Sequence, residues 1–262
     1  MQADREAGAQ TAPETRQFNP RTAPGSCRLE VAAPRLEYDS DFLATLLAMA
    51  AHDLRQPLQV ITGAHDLLAG LLRGDSIRFV LARAEDAATR LGVMLAELAE
   101  ALQLHVLARD PRCDLIPLAA LIADLATEFA EAAGAKGIDL CVPRAAGAVF
   151  SNRVLLRGML RNLLRNAIDY TPAGGRVLVL CRRAGAELRI EVHDSGPGIP
   201  ANMKSRLFEA FARADRTRPE GMGLGLFIVK CAADLLQHRI EVDSTLGHGS
   251  CFAVVAKAAN AA

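Results

Sequence analysis

Leucine and isoleucine recur along residues 39–72 at intervals of three, four or seven, as Leu43, Leu47, Leu54, Leu58, Ile61, Leu68 and Leu72. With 3.6 residues per turn, that spacing puts them on one side of a helix. Gly74, Asp75 and Ser76 then supply a turn and an N-cap. The stripe resumes with Ile77, Val80, Ala84, Leu91, Leu95, Leu98, Leu102 and Val106, so residues 39–110 predict an antiparallel helical hairpin. Two helices cannot cover apolar stripes of this length, whereas pairing with a second copy buries them in a four-helix bundle. A homodimer is expected. The competing arrangement packs the hairpin against the rest of its own chain.

The pattern changes on either side of the hairpin. Residues 1–38 carry Pro13, Pro20, Pro24 and Pro34 among mixed charges, with almost no apolar periodicity, and are expected to form a flexible tail. After the break at Asp110, Pro111 and Arg112, residues 111–257 mix helical and strand periods. Helices are expected at 117–133, 153–169, near 204–210 and at 224–236. Clusters of Val, Ile, Leu and Cys between Gly and Pro mark strands at 138–142, 176–182, 187–193, 239–243 and 250–256. The fold class is therefore α+β: a helical hairpin followed by an α/β sandwich, with helices over one face of a mixed sheet. Residues 258–262 are expected to be a flexible end.

The chain has 262 residues, a length that suits about two domains, each able to bury a core. Its 30 Lys+Arg balance 30 Asp+Glu, which counts against a broad nucleic-acid or membrane surface. No charge-free apolar run approaches the ~18 residues of a spanning helix. Asp4, Arg5 and Glu6 stand where the apolar part of a signal peptide would begin. A cytoplasmic protein without direct membrane insertion is expected. Cys27, Cys113, Cys141, Cys181, Cys231 and Cys251 form no C-x-x-C pair and have no histidine at ligand spacing, and are read as reduced, mostly buried small hydrophobes. Trp is absent and aromatics make up 4%, so stacking platforms for bases are not expected.

Four short stretches carry candidate chemistry. His52-Asp53-Leu54-Arg55-Gln56-Pro57-Leu58 places a histidine beside an acid within the first apolar stripe. Pro57 lacks an N–H and crowds the Asp53 carbonyl, bending the helix just past the histidine. A surface histidine on a kinked helix is the plainer alternative. Asn162 and Asn166 lie at i and i+4, on one helix face, and amide oxygens suit Mg²⁺. Asp194-Ser195-Gly196-Pro197-Gly198 follows a strand, joining an acid to glycines that let the backbone approach a ligand. Gly221-Met222-Gly223-Leu224-Gly225-Leu226 opens a helix whose free N–H groups can receive phosphate. Either glycine cluster alone is also what a plain turn uses. There is no Walker A Gly-Lys-Ser/Thr, and the glycines do not follow the Rossmann order.

In this order the stretches resemble the sensor histidine kinases of bacterial two-component systems, over about residues 40–256. His52–Gln59 looks like the H box, Asn162–Thr171 the N box, Asp194–Pro200 the G1 box, Leu207–Phe211 the F box and Gly221–Leu226 the G2 box. The resemblance implies that His52 is the phosphoacceptor attacking the γ-phosphate of ATP, with Asp53 fixing its tautomer. It implies Asn166 as the Mg²⁺ ligand, with Asn162 and Tyr170 supporting nucleotide, and Asp194 accepting from the adenine amino group. Gly196 and Gly198 would begin a lid running to Gly221, and Gly223, Leu224 and Gly225 would meet the phosphates. Arg213, Arg216 or Arg218 would neutralise the γ-phosphate, although an arginine run in a loop is more often simply solvated. The implied partners are a second copy, the receiver domain of a response regulator, and an input protein whose identity is unknown.

Three departures from the family pattern qualify these implications. Asp169 stands where the family usually has Lys or Arg, and its charge would weaken ATP binding unless Arg165 substitutes. Gln56 replaces the Thr or Asn associated with hydrolysing the partner's phospho-aspartate; its amide can make the same hydrogen bonds, so phosphatase activity is compatible. No sensor or receiver domain accompanies the two modules, so input is expected through the tail or a partner. The alternatives are a kinase-weak scaffold or phosphatase-biased homologue and, further off, another ATPase or serine kinase sharing the Asn and glycine boxes. His65, His105, His193, His238 and His248 are read as isolated surface or partly buried residues.

Overall fold

The computed structural model describes residues 29–30, 54–64, 67, 74–107, 111–143, 145–212 and 223–259. Helix α1 covers 54–64, and α2 runs from Gly74 to Leu107. Gly74, Asp75 and Ser76, expected as turn and cap, already belong to α2. At about 1.5 Å per residue α2 is about 50 Å long. The sandwich that follows is built from β2 (Asp114–Pro117), α3 (Leu118–Ala135), β3 (Asp139–Cys141), β4 (Ala148–Ser151), α4 (Arg153–Tyr170), β5 (Arg176–Ala184) and β6 (Glu187–Asp194). Helices α5 (Ala201–Lys204) and α6 (Gly225–Leu236) precede the closing strands β7 (Arg239–Thr245) and β8 (Gly249–Lys257).

The main sheet has the order β1-β7-β8-β6-β5-β3, in which β3 runs parallel to β5 and the other pairs are antiparallel. Alternation along the strands decides its two faces. Val177, Val179, Ile190, Val192, Ile240 and Val254 are buried in one cluster with Leu121 of α3, Leu156 and Leu163 of α4 and Ile228 of α6. Arg189, Glu191 and His193 take the alternate positions on β6 and carry a polar network on the opposite face.

Several differences from the expectation have local causes. Leu29–Glu30, within the segment expected to be a flexible tail, forms β1 and pairs with the edge strand β7. Two residues are too short a run for periodicity to mark. Strands β2 and β4 form a separate two-stranded sheet that the pattern did not show; each is four residues long, with Ile116 and Val149 buried and Leu115 and Phe150 exposed. At the other end, Ala258 bridges to Val149 and the Ala259 N–H donates to Ala148 O, so these two residues of the expected flexible end are paired. The helix expected near 204–210 is the single turn α5, followed by non-helical turns. Of the cysteines, only Cys231 is buried among the described residues, while Cys141 is exposed and Cys113, Cys181 and Cys251 are intermediate.

Helix α2 serves two surfaces. Met94, Ala101 and Leu104 join the buried cluster of the sandwich, which is the competing packing against the chain's own body. Round the helix from that contact, Leu95 and Leu102 are 50% and 38% exposed, and Leu58 of α1 is also exposed. No helix of the described residues is long and apolar enough to cross a membrane.

His238, at the α6–β7 junction, is partly buried, the second of the two placements expected for it, and it has a partner. Its Nε2 lies 2.9 Å from Ser151 Oγ on β4, and burial pulls its pKa down to about 4. The unfolded value is ~6.5, so the unfolded chain takes up the proton first as pH falls. The stabilisation is complete above pH ~6.5 and is lost as pH falls towards 4. Urea unfolding should show ~2 kcal/mol less stability at pH 5 than at pH 7.5 from this group alone. His238→Gln should remove that increment; an unchanged pH dependence in the variant would contradict it.

Candidate functional site

Helix α4 supplies the first wall of the site. Asn152 caps it, its Oδ1 accepting from the N–H groups of Val154 and Leu155 at 3.0 and 3.1 Å. Leu156, Leu160, Leu163 and Leu164 turn into the core, which leaves Asn162, Arg165, Asn166, Asp169 and Tyr170 along a cavity. Asn162 is buried, and its Nδ2 donates to Glu100 Oε2 of α2 at 2.7 Å and to Gly158 O at 3.0 Å. Glu100 also receives Arg161 Nη1 at 2.7 Å, while Arg161 Nε reaches Glu128 of α3 at 2.7 Å. A charged network thus joins α2, α3 and α4 directly beside the amide pair.

The second wall is the end of β6. Asp194 Oδ1 accepts from Gly196 N at 2.8 Å and from Ser250 N at 3.2 Å. Burial outweighs these donors and pushes the Asp194 pKa up. A further donor from a ligand would therefore favour its charged form. Two glycines make the geometry possible. Gly198 has φ +72°, and a Cβ there would sit 2.2 Å from Thr245 O; Gly249 has φ +92°, and a Cβ there would sit 1.9 Å from Asp194 O. Ser244 ties the same segments together, its Oγ accepting from Ile199 N at 2.8 Å and donating to Gly249 O at 3.0 Å.

The third wall is the start of α6. Leu224 is its N-cap and gives no side-chain cap, and Gly223, Gly225 and Leu226 line the cavity. The site for a Cβ on Gly225 is 3.0 Å from Asn162 Oδ1, so α4 and α6 approach closely at this point. The enclosed space is about 590 Å³, within the ordinary range of ligand sites.

The cavity brings together Asn162, Asn166, Tyr170, Asp194, Gly198, Gly223 and Gly225. Gly196 stands behind Asp194 as its hydrogen-bond donor, and Leu224 is fully buried in the core rather than on the cavity wall. Gln56 is exposed on α1 and does not line the cavity. His52, Asp53, Gly221, Arg213, Arg216 and Arg218 lie outside the described residues.

Residues 151–260 match the family described as histidine kinase-, DNA gyrase B- and HSP90-like ATPase, and residues 42–102 match the His Kinase A (phospho-acceptor) domain. The chain carries the two-module core of a sensor histidine kinase. Among its relatives, the sensor histidine kinase RppB of Synechocystis sp. is 35% identical over 219 residues, which is 79% of this chain and 47% of that protein. The sensor-like histidine kinase SenX3 of Mycobacterium tuberculosis is 33% identical over 217 residues, 81% of this chain and 52% of that protein. The chain thus spans about half the length of the curated relatives it matches. Among solved structures, full-length ShkA in complex with AMPPNP superposes with a TM-score of 0.59 at 27% identity, covering 84% of this chain and 46% of that one.

The histidine kinase core contains cavity residues that the motifs did not indicate. Asp86, Thr89, Arg90, Val93 and Glu97 come from α2, and their contribution follows from how α2 lies against the sandwich, which no local spacing encodes. Ser250 is a further one; its role comes from β8 pairing with β6, where it stands opposite Asp194. Because Gly249 packs backbone against backbone, Gly249→Ala should cost at least ~2 kcal/mol in urea unfolding and weaken nucleotide binding in parallel. Unchanged stability in that variant would contradict the close approach.

Proposed function

We propose that this protein is an ATP-dependent histidine kinase that phosphorylates itself on His52 and passes the phosphoryl group to an aspartate in the receiver domain of a separate response regulator. The observation that carries the reading is the single cavity framed by Asn162 and Asn166, Asp194 and the opening of α6, within a chain that also matches a phosphoacceptor domain.

The residues present fit ATP with Mg²⁺. The Asp194 carboxylate is fixed to accept from the adenine amino group, and its burial makes such a donor worth more than in water. Gly223 and Gly225 leave the backbone at the start of α6 accessible to phosphate oxygens. Asn166 would hold Mg²⁺ through its amide oxygen, and the ion when bound would neutralise phosphate charge. Asn162 supports this arrangement, with its nitrogen engaged by Glu100 and its oxygen beside Gly225. Tyr170 flanks the nucleotide. Asp53 would hold the His52 tautomer that aims a lone pair at phosphorus, and Gln56 would position water in the reverse, dephosphorylating reaction.

Homodimerisation through the hairpin is the matching assembly, supported by the exposed Leu58, Leu95 and Leu102. The setting would be the cytoplasm, where ATP and receiver domains are found, with input from an unidentified partner protein. The kinase-weak or phosphatase-biased reading draws support from one feature, the Asp169 carboxylate on the cavity wall.

Incubation with γ-labelled ATP and Mg²⁺ tests the proposal. The native chain should acquire acid-labile, base-stable label, and His52→Ala should acquire none. No label at saturating ATP, with nucleotide demonstrably bound, would overturn the kinase reading in favour of the phosphatase-biased one.

A further inference from the structure

On the face of the main sheet turned away from the helices, three side chains from two neighbouring strands converge. Glu191 and His193 stand two apart on β6 and so project to the same side, and Cys251 of β8 lies directly opposite His193 in the register. One ligand atom from each, the Glu191 carboxylate oxygen, His193 Nε2 and Cys251 Sγ, lies within 4.8 Å of the others. His193 and Cys251 stand 58 positions apart in the chain and meet only through the sheet register.

The distances match those of a coordination site. Atoms bound at about 2.0–2.3 Å to one tetrahedral zinc-class ion stand about 3.3–3.6 Å from each other. His193 Nε2 is 3.6 Å from Cys251 Sγ and 2.9 Å from Glu191 Oε2. The Glu191 oxygen and Cys251 Sγ, which lie within 4.8 Å of each other, would draw together around the ion.

The surroundings favour a cation. Glu191 and His193 are buried and Cys251 is partly exposed, so a preformed nitrogen and oxygen pair has a sulfur at its entrance. Carboxylates of Glu191, Asp243 and Asp194 surround the thiol, facing two arginines, Arg189 and Arg182, at Glu191. Arg189 is itself held by Glu241, and its Nε on Glu191 Oε1 leaves Oε2 directed at the imidazole. Arg182, 3.4 Å from Oε2, opposes the ion and sets a limit on affinity.

We propose that Glu191, His193 and Cys251 form a binding site for a zinc-class divalent transition-metal ion on the outer face of the sheet. Binding exchanges the thiol proton for the metal, releasing it to solvent; the imidazole passes its Nε2 proton to Nδ1 through solvent, so that Nε2 and Glu191 Oε2 give up their hydrogen bond and each bind the ion. Solvent fills the fourth position. The site is distinct from the nucleotide cavity but adjoins it: His193 and Cys251 are the chain neighbours of Asp194 and Ser250. Nothing in the proposal depends on the kinase reading.

Cobalt(II) titration of the reduced, chelator-treated full chain tests it. One saturable equivalent should produce a thiolate-to-cobalt charge-transfer band that Zn²⁺ abolishes by displacement. Cys251→Ser should remove the band, His193→Gln should weaken binding at least about tenfold, and Cys141→Ser should leave both unchanged. A band that persists in Cys251→Ser, or no saturable band in the native chain, would overturn the proposal. If Cys251→Ser fails to fold, His193→Gln decides: loss of binding supports the site and unchanged binding refutes it.

Discussion

The candidate site depends on two backbone segments, 194–198 and 244–250, lying closer together than any side chain would permit. A Cβ on Gly249 would fall 1.9 Å from Asp194 O, and one on Gly198 would fall 2.2 Å from Thr245 O. That contact brings the Ser250 N–H to Asp194 Oδ1 and, with the Gly196 N–H, fixes a buried carboxylate at the cavity wall. Without it the buried acid would lose one of its two backbone donors, and an under-satisfied buried carboxylate is costly. The cavity wall at Asp194 and the course of the loop towards α5 both follow from this pairing.

Helix α2 links this site to the hairpin. Met94, Ala101 and Leu104 bury themselves against the sandwich, and Glu100 accepts from both Arg161 and Asn162. The same helix leaves Leu95 and Leu102 exposed on another side. One element therefore lines the cavity and still exposes apolar side chains on another side. Packing of α2 against the sandwich thus leaves Leu95 and Leu102 uncovered.

Legibility in the sequence followed the range of each interaction. Helices α3, α4 and α6 and the long strands of the sheet carry clear periods, since each buries a continuous face, and they lie close to the expected spans. The Asn and glycine boxes were readable because a ligand and a tight turn each demand a residue type at a local spacing. Leu29–Glu30, β2 and β4 were not, because two to four residues are too few to establish a period. The α2 residues at the cavity, the pairing of Ser250 with Asp194, and the convergence of Glu191, His193 and Cys251 arise from sheet register and helix docking. These join residues tens of positions apart, and no window along the chain contains them. His238 shows the same effect, since its depressed pKa comes from burial beside β4 rather than from its neighbours in sequence.

In the proposed function Asp194, held by the two backbone donors, reads the amino group of adenine. Asp194→Asn tests it most directly, because an amide oxygen can keep both backbone hydrogen bonds while its NH₂ faces the ligand donor with another donor. Calorimetric titration with ATP, alongside urea unfolding, should show binding weakened at least about tenfold with stability nearly unchanged. A folded Asp194→Asn variant that binds ATP as tightly as the native chain would contradict the account.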